Sequence, residues 1–310
     1  MKFASQAPSG RSRFRPAVRP NTAGTSTGSG PSWTPRKADP GSSDEALLAR
    51  YRQAQRRRRQ TVTAAQVALL GIVLLLWEVA ADRYWVNPML TSRPSQIWRT
   101  LVSMASSGSL WMHLGVTLRE TLAGFAIGMA LGLGVAIALW WWPALAAVLD
   151  PYLVVLNALP KIALGPIFYI WLGHTLSVYG MAVAISVVVT IVMLHAGFSE
   201  VEANQVLVMR TFGATRGQIL RKVVIPSSLP TVMAALKVNI GLTLVGVIVG
   251  EFLSARAGLG YLIIYGGQVF QMQLVMTSVV ILAVISALLY LAVTWAERLV
   301  SRLLHLPMRS

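Results

Sequence analysis

The chain has no cysteine among its 310 residues, which excludes structural disulfides and thiolate metal sites. Its four histidines, His113, His174, His195 and His305, stand far apart and form no ligand-spaced pair, so no cofactor or metal centre is expected. Charge is scarce as well: Asp, Glu, Lys and Arg make up 12% of the residues, against about 25% in a soluble domain. The scarce charge is also segregated. None falls in residues 60–77, 121–149, 162–199 or 257–296. A helix needs about 20 apolar residues to cross about 30 Å of hydrocarbon, and a buried soluble helix rarely runs so far without a polar face. These absences exclude an ordinary soluble domain and predict an all-α integral membrane protein.

Hydrophobic residues make up 55% of the chain, yet the formal net charge is +16. Much of that charge sits at the start: residues 1–60 hold thirteen Lys or Arg and three acids, a net of +10. A basic tail binds nucleic acid in some proteins. Beside a membrane span it more often fixes orientation and touches anionic lipid, and that reading is preferred, with no nucleic-acid partner. Residues 1–40 are rich in Ser, Gly, Pro, Thr and Arg and hold few large apolar side chains. Such a segment buries too little surface to offset its ordering entropy. Residues 1–60 are therefore expected to form a disordered basic cytoplasmic tail, with a short basic helix possible over 43–60. A transmembrane domain is expected over 61–305.

Six spans are expected, at about 64–81, 117–142, 150–172, 177–198, 231–253 and 274–296. Pro160 and Pro166 interrupt the third. Residues 94–104 suit an interfacial helix. Gly124, Gly128 and Gly132 recur at four-residue spacing in the second span, which puts three small residues near one face, where helix backbones approach closely. Packing within the chain is preferred there over a dimer seam. Orientation follows from Lys and Arg near the span ends. Arg56–Arg59 place the N-terminus in the cytoplasm. Six crossings return the C-terminus there, in agreement with Arg298, Arg302 and Arg309.

One segment breaks the apolar pattern. Residues 199–230 are amphipathic and basic, with Arg210, Arg216, Arg221 and Lys222, and are punctuated by Gly213, Pro226 and Pro230. Ser199-x-x-Glu202 and Thr215-x-x-Gln218 are capping-box patterns. They predict two short helices, about 201–212 and 216–224, joined at Gly213, which supplies left-handed backbone freedom. Pro226 and Pro230 are expected to break the second helix. The result is a cytoplasmic helix–turn–helix. Val206, Met209, Phe212, Ile219, Leu220 and Val223 are expected to pack on the membrane helices or on a partner. The alternative is an amphipathic segment lying on the bilayer.

Gly213 followed by Val223-Val224-Ile225-Pro226 resembles the signature of ABC importer membrane subunits, a Glu-Ala-Ala triplet, a Gly, and a later Ile-x-Leu-Pro. The Gly and Pro keep the register. Leu207-Val208-Met209 stands where Glu-Ala-Ala is expected. Leu159-Pro160-Lys161-Ile162-Ala163-Leu164 and Thr211-Phe212-Gly213-Ala214-Thr215 are similar to segments of the nitrate/sulfonate/taurine/bicarbonate importer permeases. So are Gly250-Glu251-Phe252 and Gly258-Leu259-Gly260-Tyr261. The resemblance covers about 60–305.

The resemblance implies the ABC importer permease fold, six transmembrane helices with a cytoplasmic coupling loop at 199–230. It implies a path formed with a second permease copy, moved by cytoplasmic ATPase subunits and supplied by a periplasmic or surface-tethered solute-binding protein. Leu207, Gly213, Ala214, Thr215, Arg216 and Pro226 are carried over as ATPase-coupling residues. The chain lacks a G-x-x-x-x-G-K-[ST] phosphate loop, so ATP hydrolysis is assigned to a partner chain. The substrate class implied is a small anion such as a sulfonate, taurine or nitrate, or a small vitamin or pyrimidine precursor.

Charges inside a membrane are functional candidates by default. Asn157, Lys161 and Glu251 are therefore candidates for the substrate path, although Lys161 also suits snorkelling to the interface and Glu251 also suits pairing with Arg256. Lys237 is expected to snorkel, and Glu120 to be interfacial. Two other classes compete. A secondary transporter driven by an ion gradient needs a buried carboxylate relay or broken helices in paired repeats. The acids here fall near span ends and no internal repeat is found. A membrane enzyme needs clustered His, Asp or Glu, which the sequence does not show.

Overall fold

The structure is a computed structural model that describes residues 40–201 and 203–303. The stretch 1–39, most of the expected tail, lies outside the described residues. The chain divides into two units, Met1–Ala65 and Gln66–Ser310. The regular elements among the described residues are helical: α1 (Pro40–Asp82), α2 (Pro88–Thr91), α3 (Pro94–Ser106), α4 (Ser109–Trp141), α5 (Pro143–Ala158), α6 (Gly165–Ser199), α7 (Ala203–Thr211), α8 (Arg216–Ile219), α9 (Ile225–Ser227), α10 (Leu229–Ser254), α11 (Leu259–Gln268) and α12 (Met272–Leu303). Helices satisfy their own backbone polar groups, which a lipid core demands.

Among the described residues, five helices are long and apolar enough to cross a membrane: Gln53–Asp82, Ser109–Trp141, Lys161–Ser199, Leu229–Ser254 and Met272–Arg302. The expected spans one, two, four, five and six fall within them. The third does not form a single helix. Residues 150–172 are divided among α5, a 3-10 turn at Lys161–Leu164 and the start of α6. Two local causes are visible. Pro160 lacks the amide that would continue α5, and Gly173 takes φ 73°, ψ −174° inside α6, a conformation open to glycine. Trp141 meets the polar loop, whereas His174 meets Ser254 at the opposite end of α10. Residues 143–173 therefore carry the chain back across the bundle in broken pieces. Residues 40–60, where a short basic helix over 43–60 was one option within the expected tail, belong to α1. Their Arg, Gln and Ala content favours helix. The interfacial helix expected at 94–104 is α3, and α11 was not anticipated.

Helix α6 is the centre of the bundle, packed between α4 and α10. The spaced glycines of α4 make one of these contacts. A Cβ placed on Gly124 would fall 2.8 Å from Ala182 Cβ, one on Gly128 would fall 2.5 Å from Ser186 Oγ, and one on Gly132 would run into Thr190. On the α10 side the approach is to backbone atoms. A Cβ on Gly246 would lie 2.6 Å from Ala182 Cα, and one on Gly250 would lie 2.7 Å from Val178 Cα. Lipid tails are as apolar as Leu, so close packing of this kind, rather than hydrophobic burial, holds membrane helices together.

One end of the bundle is tied by a buried carboxylate. Glu251, 1% exposed, accepts from Thr117 Oγ1 at 2.6 Å and from the Gly260 amide. Thr117 Oγ1 in turn accepts from the Leu259 amide at 2.9 Å, and His113 Nδ1 accepts from the Gly258 amide at 3.0 Å. These amides open α11 and have no partner within that helix. A carboxylate at a helix N-terminus also meets the positive end of its dipole. At the other end Lys237 pairs with Glu297 at 2.5 Å, joining α10 to α12.

Two outcomes follow. Gly128→Val should cost about 1–3 kcal/mol by overpacking and lower the unfolding temperature of the purified protein, whereas Gly134→Ala, with open space around it, should leave it unchanged. Equal effects would contradict this packing. Glu251→Ala should strand the Gly260 amide and speed hydrogen exchange at Leu259 and Gly260 by about tenfold or more, which exchange mass spectrometry reads directly.

Candidate functional site

The polar insert folds as a compact helical loop. Ser199 is the last residue of α6, and its hydroxyl donates to the His195 carbonyl at 2.9 Å. It therefore closes α6. Glu202, the other half of that capping box, lies outside the described residues. Helix α7 ends as the sequence predicts. Gly213 takes φ 74°, its amide donates to Arg210 O at 2.9 Å, and the Ala214 amide donates to Met209 O at 3.0 Å. This pair of bonds is a Schellman closure. The second capping box is present: Thr215 N donates to Gln218 Oε1 at 2.8 Å and Gln218 N to Thr215 Oγ1 at 3.4 Å.

Pro226 does not break the helix that follows. The backbone widens into a π turn at Leu220–Val224, where the Ile225 amide reaches Leu220 O, and continues through α9. A wide turn accommodates a residue with no amide and a bulky ring. The change of direction comes at Ser228 (φ −88°, ψ 2°), whose hydroxyl donates to Val224 O at 2.6 Å. Pro230 sits in the first turn of α10, where a missing amide costs nothing.

The loop has two faces. Val206, Met209, Ala214, Ile219 and Leu220 pack with Ala136, Leu194, Phe198 and Ala235 of the bundle. Arg216 Nη1 donates to Trp141 O at 2.7 Å, at the end of α4. On the other face Leu207 is 59%, Val208 52% and Phe212 83% exposed. Phe212 was expected among the packing residues, with a partner as one option, and it is not among the described residues that pack on the bundle. The structure thus brings Gly213, Ala214, Thr215 and Arg216 together as one closed turn. It sets Leu207 on the outward face and leaves Pro226 exposed on the far side of the loop.

The three path candidates do not converge. Lys161 Nζ donates to the Asn157 carbonyl at 3.2 Å. That carbonyl is released where α5 breaks before Pro160, so the ammonium replaces a lost backbone bond. The Asn157 residue itself is exposed. Glu251 is occupied by Thr117 and α11, and no bond to Arg256 occurs among the described residues. Glu120, expected at an interface, is buried against Glu251, and its Oε2 has no hydrogen-bond partner. His174 lies at the Gly173 break, donating from Nδ1 to Ser254 O at 3.0 Å with Tyr169 OH 3.3 Å from Nε2. Sequence reasoning missed Thr117, His113 and Glu120 as a group. Their spacing on one helix face (113, 117, 120) was the available signal.

Comparison with known proteins agrees with this architecture. Residues 128–305 match the family described as binding-protein-dependent transport system inner membrane component. The chain is 29% identical over 233 residues, 73% of its length and 92% of the relative's, to a probable ABC transporter permease protein of Haemophilus influenzae. It is 25% identical to the taurine transport system permease protein of Escherichia coli, covering 75% of this chain and 86% of that one. It is 30% identical to the formylaminopyrimidine transport permease protein of Halalkalibacterium halodurans, covering 61% and 76%. The MetNI methionine ABC transporter in an inward-facing conformation superposes with a TM-score of 0.55 at 20% identity, over 62% of this chain and 97% of that one; this likeness concerns the fold. The chain is a multi-pass inner-membrane transport subunit and not an enzyme, and it belongs to the family of binding-protein-dependent transport system inner membrane components, the permeases of ABC importers.

Proposed function

We propose that α7 to α9 form the surface through which a separate cytoplasmic ATPase drives this permease. The observation that carries the reading is the two-faced loop. One face is packed into α4, α6 and α10, while Leu207, Val208 and Phe212 stand exposed on the other. Movement imposed on such a loop reaches three membrane helices directly. The apolar Leu207 and Val208 replace the Glu-Ala pair expected at this register, so the contact with the ATPase is apolar at its centre. Aromatic residues such as the exposed Phe212 beside them are enriched at protein interfaces. Gly213, Ala214, Thr215 and Arg216 hold the loop rigid, and Pro226 shapes its far side.

Two copies of the chain form the path, with both termini and the loop in the cytoplasm, as the Lys and Arg distribution requires. A solute-binding protein supplies the substrate from the outer side. The substrate is a small anion such as a sulfonate, taurine or nitrate, or a small vitamin or pyrimidine precursor; relatives bear names for taurine, aliphatic sulfonate, formylaminopyrimidine and riboflavin transport. The broken region from Asn157 through Lys161 to Gly173 is the segment best suited to line the path, because irregular backbone at membrane depth is tolerated where it lines a cavity.

The reading is tested by uptake in cells that carry the permease with an ATPase partner disabled in hydrolysis. Uptake should vanish, and uptake that survives would favour an ion-gradient-driven transporter instead. Gly213→Pro should leave membrane insertion intact and abolish transport, since proline fixes φ near −65° and removes the amide that closes α7. Leu207→Ala with Phe212→Ala should weaken capture of the ATPase by about tenfold or more, as truncation of interface anchors does. Normal uptake by the first variant or normal capture by the second would overturn the assigned role of the loop.

A further inference from the structure

Gly173 turns the chain between the broken segment before it and the long part of α6 after it (φ 73°, ψ −174°). His174 follows at once, and its ring spans the turn. A carbonyl only accepts, so the 3.0 Å contact with Ser254 O puts the ring proton on Nδ1. In the neutral ring Nε2 is then an acceptor, and Tyr169 OH stands 3.3 Å from it. The two rings also meet edge to face, with centroids 4.9 Å apart, a geometry aromatic rings favour. Tyr169 belongs to the broken segment, whereas Ser254 is the last residue of α10. The Ser254 carbonyl is one of the four that α10 leaves without a partner of its own. Beside the ring, the buried hydroxyls of Ser177 and Ser254 lie 2.7 Å apart. Whichever of them donates, the pair bonds the long part of α6 to the end of α10. That side of the joint is therefore fixed, and the Tyr169 side hangs on the imidazole.

We propose that His174 is a positioning residue of the substrate path, whose imidazole ties Tyr169, and with it the broken segment, to the end of α10. The inference rests on the reading that the ATPase drives the loop and that the broken segment lines the path. Helix α10 starts at Leu229, where Ser228 turns the loop into it, and runs as one helix to Ser254. Its 26 residues span about 39 Å. A displacement of the loop therefore arrives at Ser254, and the ring hands it across Gly173 to Tyr169. Apolar contacts lie alongside. A Cβ on Gly165 would run into Leu253, and one on Gly180 would fall 2.8 Å from Leu172 Cδ1. Apolar contact is non-directional and permits sliding, whereas hydrogen bonds have a preferred distance and angle and so fix register. A cavity of about 270 Å³ adjoins the ring, so its two bonds, more than packing, set where it stands.

The test uses the assembled importer, permease with its ATPase, in nanodiscs. The chain has no cysteine, so Asn157→Cys gives the permease a single reporter in the broken segment. The backbone carbonyl that Lys161 uses stays in place. The rate at which this reporter reacts with a water-soluble maleimide is read on the permease, without nucleotide and with ATP plus vanadate. With native His174 the rate should change when nucleotide is trapped. Tyr169→Phe removes one hydroxyl. His174→Asn keeps a donor at the Nδ1 position and loses the acceptor. Each should shrink the nucleotide-dependent change by about threefold or more. The two together should shrink it no further than either alone, because both delete the same bond. Melting temperature and ATPase capture should stay unchanged in Tyr169→Phe, whose ring is retained. An undiminished change in Tyr169→Phe, or a fall in its melting temperature that accompanies the loss, would overturn the proposal. A reporter indifferent to nucleotide with native His174 would overturn the path reading beneath it, and the proposal with it.

Discussion

Helix α6 runs between α4 and α10 at distances that leave no room for a Cβ on Gly124, Gly128, Gly246 or Gly250. The approach on the α10 side reaches backbone atoms of Val178 and Ala182. In lipid this contact replaces the hydrophobic drive of a soluble core. Other features depend on it. It brings the end of α10 beside Thr117, so that Glu251 can bond across to α4. It also sets the opposite ends of α4, α6 and α10 close enough to form one apolar seat for the loop.

The two ends of the bundle are built by different chemistry. At one, a buried carboxylate and hydroxyl collect the free amides of α11. The sequence segments Gly250-Glu251-Phe252 and Gly258-Leu259-Gly260 are thereby one physical unit. A side chain at Gly258 or Gly260 would collide with the Glu251 carboxylate or stem. At the other end, apolar packing and the Arg216–Trp141 bond seat a loop that leaves Leu207, Val208 and Phe212 exposed.

Much of this was legible in the residues. Long uncharged runs gave the helices, because lipid leaves no other solution for the backbone. The four-residue glycine spacing in α4 gave the seam with α6. Thr215-x-x-Gln218 and Gly213 gave the turn of the loop, since both act through local hydrogen bonds that the sequence specifies. What failed depended on context. Pro226 bends nothing, because a π turn absorbs it. Glu120 was placed at an interface because it lies near a span end, whereas α4 extends well past that point and buries it. Helix α11 is short and holds three glycines of its own, Gly260, Gly266 and Gly267, so its periodicity carried little signal.

The central claim is that the outward face of α7 meets the ATPase. The absence of native cysteine makes one measurement direct. Leu207→Cys and, separately, Phe270→Cys at the far end of the bundle would be treated with a short thiol-to-amine cross-linker in membranes containing the assembled, active importer. Both native side chains are well exposed. The account predicts an adduct of permease and ATPase from position 207 and none from position 270. No adduct from position 207 in the active complex, or equal yields from the two positions, would contradict it.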